Sequence, residues 1–542
     1  NAAGSQITTG TDNTLIGGAA GDALTTSNAN VALGRLALSA ETTSNGNTAI
    51  GAEALKNQNV GGSGDARNTA VGLLAGANVS TGIHNTLIGA LAGDAITVGH
   101  RNVAVGKDAL TANVGGAKNI AIGEGSLSTF NSGSSATDTY NTAVGHFAGG
   151  SVTTGIQNTL IGGLAGDALT DADYNVAIGK SSLSTDTLGS RNVAVGYGSL
   201  TNQNFTSATN SYNVAMGFNA GEQITTGIQN TTIGGLAGDA LTDADANTAL
   251  GYEALSTDTR GSHSTAIGRR ALKAQNYTSA TDSHNTAVGN NAGLAVTTGI
   301  QNTLIGSEAG IAVTTGGQNV LFGKSAAGGI TEGSRNICIG IEAAQNTNNL
   351  TTGVDNIAIG YQARVNAGDA ANQMVMGKQV TCQGNNEFTF GNGATDSNIA
   401  FGATSISAPS DERYKEEITT STAGLSFIKD LRPVTFKWKK AKDVPVGHDA
   451  YIADGEEGCN DRVMLSNGET NHGFIAQEVK AAIDNHSELK DGFDMWTVDQ
   501  RDTTNGRQRL GDGALIPILV KAIQEQNALI EALTARVATL EG

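Results

Sequence analysis

Hydrophobic and polar positions alternate within a five-residue phrase, Asn-(Thr/Val)-Ala-(Ile/Val)-Gly, that recurs along most of the chain. The usual spacing between copies is 17 residues, and every fourth step stretches to between 20 and 22. Counting through Gln373 gives 21 copies, all of which carry Gly at the fifth position. A short fixed period predicts a solenoid, in which each unit buries its interior only against its neighbours.

Alternation within the phrase predicts a β-strand with two distinct faces. In the copy Asn47–Gly51, Thr48 and Ile50 share one face, and Asn47 and Ala49 share the other. The fourth position is always large and apolar, and β-branched residues dominate the second, so we expect this face to line the interior of the coil. The Gly allows a tight bend with positive φ. The Asn can bond neighbouring backbone and stack as a ladder along the coils.

The third position of the phrase then lies on the outward face of the strand. It is Ala in most copies and becomes Leu in most of the long periods. A solvated outer strand would carry more polar residues at this position. We therefore interpret the Ala stripe as a contact surface between identical chains; its members include Ala32, Ala49, Ala70, Ala104 and Ala121.

The phrase resembles the repeats of trimeric autotransporter adhesin heads and of many phage tail fibres. That resemblance implies a left-handed β-roll or β-helix that works as a homotrimer. The coils of this chain are longer than those of the adhesin heads. The expected fold is therefore an all-β repeat solenoid, followed by an α+β domain that ends in a coiled coil.

Composition changes abruptly near residue 409, because all four prolines lie there or later. We expect a solenoid shaft over 1–377, a distal tip over 378–409, an α+β domain over 410–512 and a coiled coil over 513–542. The net charge of -18 argues against nucleic acid and anionic membranes as partners. No apolar run is long enough for membrane insertion. Three distant cysteines do not suggest a disulfide framework.

Three blocks in the C-terminal part carry a second resemblance. They are Ser-Asp-Glu-Arg-Tyr-Lys from Ser410, Leu-Arg-Pro-Val-Thr-Phe-Lys-Trp from Leu431, and His-Gly-Phe-Ile-Ala-Gln-Glu-Val from His472. Together they are similar to the C-terminal intramolecular chaperone of endosialidase-type phage tailspikes, an auto-cleaving peptidase family. Asp411 and Arg413 are interpreted as partners that stabilise the fold, and His472 as structural rather than catalytic.

Ser410 and Lys415 form a candidate catalytic pair. A Ser hydroxyl needs a base to take its proton, and a Lys can be that base when burial favours its neutral form. A spacing of five residues lets one turn bring the two together. The resemblance implies that Ser410 is the nucleophile, Lys415 the base and Pro409–Ser410 the scissile bond. In the alternative, Ser410 is only the N-cap of a helix.

The last segment has a heptad pattern over four repeats. One position carries Ile516, Ile523, Ile530 and Val537, and its partner position carries Leu519, Gln526, Leu533 and Leu540. Ile and Leu in this arrangement lean towards a dimer. The family resemblance implies a trimer, which we prefer because the polar Gln526 and the short length blur the rule.

These features predict a viral tail fibre or spike, assembled in the host cytoplasm, that binds a host cell-surface glycan or protein and cuts only itself. The chain begins at Asn1 without Met, so we expect a missing N-terminal region that contacts other virion tail proteins. A trimeric adhesin on a cell surface and a glycan-degrading tailspike are the alternatives. We expect no cofactor and no metal. The acids Asp167, Asp171 and Asp173 recur as Asp239, Asp243 and Asp245, and we interpret them as surface or turn residues rather than as glycosidase acids or a cation site.

Two candidate receptor sites stand out by their aromatic residues. Phe388, Phe390 and Phe401 lie in the distal segment of a shaft that is otherwise poor in aromatics, although they could instead plug the core of a trimer. The second candidate is the long loop added about every 72 residues. Its copies carry Phe130 with Tyr140, Phe205 with Tyr212, and Tyr277 with His284.

Overall fold

The computed structural model describes residues 2–62, 64–345, 350–393, 395–403, 406–407, 410–448, 450–463, 470–490, 493–498 and 508–542. The chain divides into two compact units, Asn1–Pro409 and Ser410–Gly542. The first is a β-solenoid of about 22 turns, as the repeat predicts, and the second is a small α+β unit.

Each phrase contributes one short strand to a single sheet of 23 strands. The strands are Thr14–Ile16, Val31–Leu33, Thr48–Ile50, Thr69–Val71, Thr86–Ile88, Val103–Val105, Ile120–Ile122, Thr142–Val144, Thr159–Ile161, Val176–Ile178, Val193–Val195, Val214–Met216, Thr231–Ile233, Thr248–Leu250, Thr265–Ile267, Thr286–Val288, Thr303–Ile305, Val320–Phe322, Ile337–Ile339, Ile357–Ile359, Gln373–Lys378, Glu387–Asn392 and Thr395–Ala400. Equivalent positions pair in parallel from one coil to the next, for example Ala32 with Ala49 and Ala49 with Ala70. The last strand alone runs antiparallel to its neighbour.

The assignment of the two strand faces from the sequence is wrong. Asn47 and Ala49 are fully buried, whereas Thr48 and Ile50 are only half-buried. The first and third positions therefore face the interior, and the Ala stripe is core rather than a surface between chains. The physical reason is space, because a coil of 17 residues leaves little room between its strand and the turns opposite, and Ala fits there.

Leucines from the turns fill most of the remaining interior. Where the third position is Ala, the buried side chain six residues later is commonly Leu, as in Ala49 with Leu55. Where the third position is Leu87, the residue six later is Gly93, whose missing Cβ would lie 2.8 Å from the Leu87 side chain. Large and small residues thus exchange sides, as close packing of the coil interior requires.

The buried asparagines form the predicted ladder. Asn175 Nδ2 donates to the carbonyl oxygen of Gly189 at 3.0 Å, and Asn175 Oδ1 accepts the backbone N–H of Asn192 at 2.9 Å. The same pattern recurs up the solenoid, for example between Asn302 and Asn319. Each Asn therefore satisfies backbone groups that the turns would otherwise leave unpaired in the interior.

In the long coils, a buried polar side chain accepts hydrogen bonds from the backbone of the extra residues. Asp186 Oδ1 accepts the backbone N–H groups of Gly189 and Phe205, both at 3.1 Å. Glu41 and Asp258 are buried in the same way in other long coils. Three of the long loops carry small parallel pairs: Gly116–Ala117 with Thr137–Asp138, Gly189–Ser190 with Thr209–Asn210, and Gly261–Ser262 with Thr281–Asp282.

In the described part of the second unit, three α-helices span Leu425–Asp430, Ala476–Asn485 and Leu515–Glu541. Short 3-10 helices cover Glu412–Tyr414, Ala441–Asp443 and Asp512–Ala514. Strand Val434–Phe436 pairs antiparallel with Asn471–Gly473, and Trp496–Val498 pairs antiparallel with Gln508–Leu510. Phe427 lies in the centre of the core, which also contains Val479, Ile483, Met495, Leu515 and Ile518.

Candidate functional site

Ser410 and Lys415 lie in hydrogen-bond contact at the start of the second unit. Lys415 Nζ donates to Ser410 Oγ at 2.7 Å. A 3-10 turn over Glu412–Tyr414 lies between them, so a spacing of five residues brings the side chains together. Both residues are exposed in the single chain. Pro409, the other half of the predicted scissile bond, lies outside the described residues.

Asp411, not Ser410, caps this turn. Its Oδ1 accepts the backbone N–H of Arg413 at 2.9 Å and the Arg413 Nε at 3.1 Å. These bonds from Arg413 lower the pKa of Asp411 below its usual range and raise the pKa of the guanidinium. The N-cap alternative for Ser410 is therefore wrong, and the Ser410 hydroxyl instead accepts a hydrogen bond from Lys415. Asp411 and Arg413 support the turn, which agrees with the stabilising role expected for them.

The second and third sequence blocks contact each other, and neither block contains Ser410 or Lys415. Arg432 Nε donates to Glu478 Oε2 at 2.9 Å, which ties the segment after the first α-helix to the helix Ala476–Asn485. Bonding to Arg432 lowers the pKa of Glu478. His472 lies on the strand Asn471–Gly473, opposite Thr435. These blocks thus hold the fold of the unit together.

An uncovered apolar stripe runs along the solenoid, and sequence reasoning placed it on the wrong side. The second and fourth phrase positions face outwards, and many of the fourth are more than a third exposed, up to 59% for Ile16. Members of this outer stripe include Leu33, Ile88, Ile122, Ile161, Ile178, Met216, Leu250, Phe322 and Ile339. Contiguous exposed apolar surface of this kind is typical of protein contact sites.

The outer stripe continues into the distal segment. Phe388 and Phe390 pair with Met374 and Met376, which are the second and fourth positions of the last phrase. Their rings lie 5.1 Å apart and are half-buried. Phe401 is 46% exposed beyond the last strand. The first two rings therefore lie in line with the second and fourth phrase positions that form the outer stripe.

The aromatic pairs of the long loops separate into inner and outer members. Phe130, Phe205 and Tyr277 are buried in the coil interior. Tyr140, Tyr212 and His284 are exposed on the residue just before a phrase Asn. Only the outer members can contact a ligand.

The recurring acids act in turns, as the sequence indicates. Asp173 Oδ1 accepts the backbone N–H of Ile156 at 2.7 Å, and Asp245 does the same for Ile228 at 2.8 Å. Burial raises the pKa of Asp167, whose Oδ1 has no hydrogen-bond partner. Across the described residues, no group of three or more His, Cys, Asp or Glu side chains is arranged to hold a metal ion.

The terminal helix Leu515–Glu541 exposes its heptad residues. Leu515, Ile518 and Ala522 pack into the unit, while Ile516, Ile523, Leu533 and Leu540 are more than half exposed. Within the described residues, no helix combines the length and apolar character that crossing a bilayer requires.

Comparison with known proteins gives one family match, which lies within the C-terminal unit. Residues 410–488 match the family described as the chaperone of endosialidase. No curated protein and no solved structure gave a significant match to the chain. The chain therefore carries an endosialidase-type chaperone domain after a long β-solenoid, which fits the architecture of a tail fibre or tailspike and suggests association with a virion.

Proposed function

We propose that this protein is a homotrimeric viral tail fibre or spike that attaches to the host surface through a glycan or protein receptor. The chaperone domain drives trimer formation and then cuts the bond between Pro409 and Ser410. The observation that carries the proposal is the outer stripe: a solenoid whose core is complete within each chain still presents apolar residues in coil after coil.

The outer stripe supports association between copies of the chain. A monomer would leave these side chains in water, whereas three parallel solenoids would bury them along their common axis. The exposed heptad face of the helix Leu515–Glu541 supports the same state, because the helix can bury that face by packing against the same face of other helices. A single coil cannot bury its interior alone, so a clamp that aligns three chains would help their first coils to form in register.

The dyad geometry supports self-cleavage. Lys415 takes the proton of Ser410 Oγ, and the oxygen attacks the carbonyl carbon of Pro409. The carbon–nitrogen bond breaks, the amino group of Ser410 leaves with a proton, and an ester joins Pro409 to the Ser410 side chain. Water then hydrolyses that ester and restores the hydroxyl.

Assembly provides a reason for the timing of the cut. A lysine acts as a base only in its neutral form, which burial favours, yet Lys415 is exposed in the single chain. We propose that neighbouring chains cover the dyad in the trimer and switch it on. Cleavage then makes assembly irreversible, because the chaperone can leave while the solenoid stays assembled.

The test is native and denaturing mass spectrometry of the purified protein. The parent is expected as a trimer whose chains are cut into 1–409 and 410–542. Ser410→Ala, Lys415→Ala and the charge-conserving Lys415→Arg should give uncut trimers. The exposed neighbours Ser421→Ala and Lys429→Ala serve as matched controls and should be cut normally. Processing of the Ser410 or Lys415 variants at the parental rate would show that the dyad assignment is wrong, and a monomeric parent would refute the trimer.

A further inference from the structure

The residues just before the first position of each phrase, which is Asn in most copies and Ser264 in one, form a line of mostly exposed side chains. From Arg67 to Arg335 this pre-asparagine column contains 16 consecutive members and no acid or Gly, whereas Asp12, Gly46 and Asp355 occupy the same column outside that stretch. They are Arg67, His84, Arg101, Lys118, Tyr140, Gln157, Tyr174, Arg191, Tyr212, Gln229, Ala246, His263, His284, Gln301, Gln318 and Arg335. All are exposed except the half-buried Lys118 and Ala246. The composition is unusual for a chain with a net charge of -18.

The members of the column are held in register by the backbone. The N–H of Tyr174 donates to the carbonyl oxygen of Ile156, and that of Arg191 donates to Asp173, the residue before Tyr174. The side chains therefore stack directly from coil to coil. The Arg191 guanidinium lies 5.1 Å from the Tyr174 ring centre and 5.9 Å from that of Tyr212. Further along, the rings of His263 and His284 lie 5.2 Å apart.

The backbone conformation does not explain this choice of residues. Every member has a left-handed φ, between 48° and 64°, where Gly would cost least. A second left-handed column, two residues after each phrase Gly, contains Leu74, Glu53 and Asp108. Left-handed geometry alone thus tolerates acids and apolar residues in this solenoid. Since the pre-asparagine side chains are exposed, packing in the coil core does not explain them either.

The central part of the column has a regular spacing of aromatic rings. Tyr140, Tyr174 and Tyr212 alternate with Gln157 and Arg191, so a ring recurs every second coil. Two coils span roughly 10 Å. Sugar rings stack their C–H faces on tyrosines, and their hydroxyl and carboxyl groups bond to Gln and Arg. An extended polysaccharide that places alternate sugars on successive tyrosines fits this line.

The charges of the column favour an acidic ligand. It contains five of the Lys and Arg residues of the chain and three of its histidines. Some of them pair with neighbouring carboxylates, namely Arg67 with Asp65, Lys118 with Asp138, His263 with Asp282 and Arg335 with Asp355. Arg191 instead donates to Asn210 Oδ1 and lies between two tyrosines. Its remaining donors are available to a carboxylate of the ligand.

We infer that the pre-asparagine column binds an extended acidic polysaccharide along the side of the solenoid, centred on Tyr174, Arg191 and Tyr212. The inference rests on the proposed attachment function and names the site and ligand class for it. Contacts repeated coil after coil add by avidity, so affinity should rise with the length of the glycan until it spans the tyrosines.

The test uses Tyr174→Gln, Arg191→Gln and Tyr212→Gln in one variant of the full chain. Gln already occupies this column at Gln157, with a φ of 56°, so the substitutions suit the local backbone. The matched control carries the same exchanges at the exposed Tyr252, Tyr361 and Arg269. The probes are hyaluronan, alginate and polygalacturonate, with their carboxyl-reduced forms, and binding is measured by surface plasmon resonance.

At least one acidic probe should bind the parent, and its carboxyl-reduced form should bind more weakly. The column variant should lose at least about 30-fold in affinity, and the control should keep it. Binding of no acidic probe, or equal loss in both variants, would overturn the inference. The inference would also be wrong if replacing residues 374–408 abolished binding while the column variant retained it. It would be wrong too if the host receptor proved to be a protein and adsorption to it were unchanged in the column variant.

Native mass and processing separate this inference from the proposed function. If the column variant loses its trimer mass, the column is a contact between chains and the inference is wrong. If the parent forms a cut trimer yet binds none of the probes, the glycan site fails while the tail-fibre proposal stands.

Discussion

Removing one rung of the Asn ladder should destabilise the solenoid locally. Asn175→Ala deletes the donor to the Gly189 carbonyl and the acceptor of the Asn192 N–H, and both backbone groups lie in buried residues. Each buried group left unpaired costs about 1–3 kcal/mol, so the free energy of local unfolding should fall by about 2–6 kcal/mol. Because each coil contacts only its neighbours, the loss should stay within the adjacent coils.

Hydrogen exchange measured by mass spectrometry can test both the size and the place of the effect. Peptides that cover Val176–Ile178 and Val193–Val195 should exchange at least about 30-fold faster than in the parent. Peptides around Val320–Phe322 should be unchanged. Asn290→Ala removes an exposed Asn in another coil and serves as the control. Equal exchange in the two variants, or a uniform acceleration along the solenoid, would refute the assignment of the ladder as a local anchor.

Three further predictions follow from burial. Charges placed on the outer stripe should abolish the trimer in native mass spectrometry, and the test variant carries Ile88→Asp, Ile122→Asp and Ile161→Asp. The control variant places the same charges on exposed threonines and should remain trimeric; it carries Thr26→Asp, Thr298→Asp and Thr315→Asp. Burial raises the pKa of Asp239 from 3.8 to about 6, so the folded state holds this proton more tightly and stability should fall as pH rises from about 4 to 6. Asp239→Asn should flatten that slope in denaturant titrations, and an unchanged slope would contradict the assignment. Burial also raises the pKa of Cys338 to about 12, so this thiol should resist iodoacetamide at pH 8 until the protein unfolds, and rapid labelling of the folded protein would contradict its position.

The period of the sequence was sufficient to predict the strands and their stacking. The recurrence of Asn, Gly and an apolar residue at fixed spacing defines one strand and one bend per coil, and Thr48–Ile50 is such a strand. The C-terminal domain boundary and the contact between Ser410 and Lys415 were also accessible, because both depend on local composition and on a spacing of five residues.

Alternation alone does not predict which face of each strand is buried. A period of two separates the faces but does not say which face is inside. Hydrophobicity pointed to Ile50, yet the interior selects Ala49 because Leu55 from the turn already occupies the space. A better signal was available in the near-constant Asn47: a polar residue repeated without variation is typical of a buried group with fixed hydrogen bonds.

The long coils show how this solenoid keeps its outer columns straight. An insertion in one coil would shift every later side chain unless its residues left the stack. In the coil of Asp186, the insertion is held at its base: Gln203 Nε2 donates to Asp186 Oδ2 at 2.6 Å, and Gln203 Oε1 accepts from Asn213 Nδ2 at 2.8 Å. The buried carboxylate thus connects the insertion to the Asn ladder.

Strand pairing confirms that the register survives the insertion. Val193 pairs with Val214 across the long coil, just as Val176 pairs with Val193 across a short one. The cost of burying a carboxylate is offset by its hydrogen bonds: burial alone would raise the pKa of Glu41, but bonds from Ser44, Gln58 and Thr43 lower it. The interior columns therefore fix the geometry, and the outer columns are free to vary in chemistry. That separation would let one face of a simple repeat present the outer stripe to other chains, as we propose, while another presents Tyr174, Arg191 and Tyr212 to the proposed ligand.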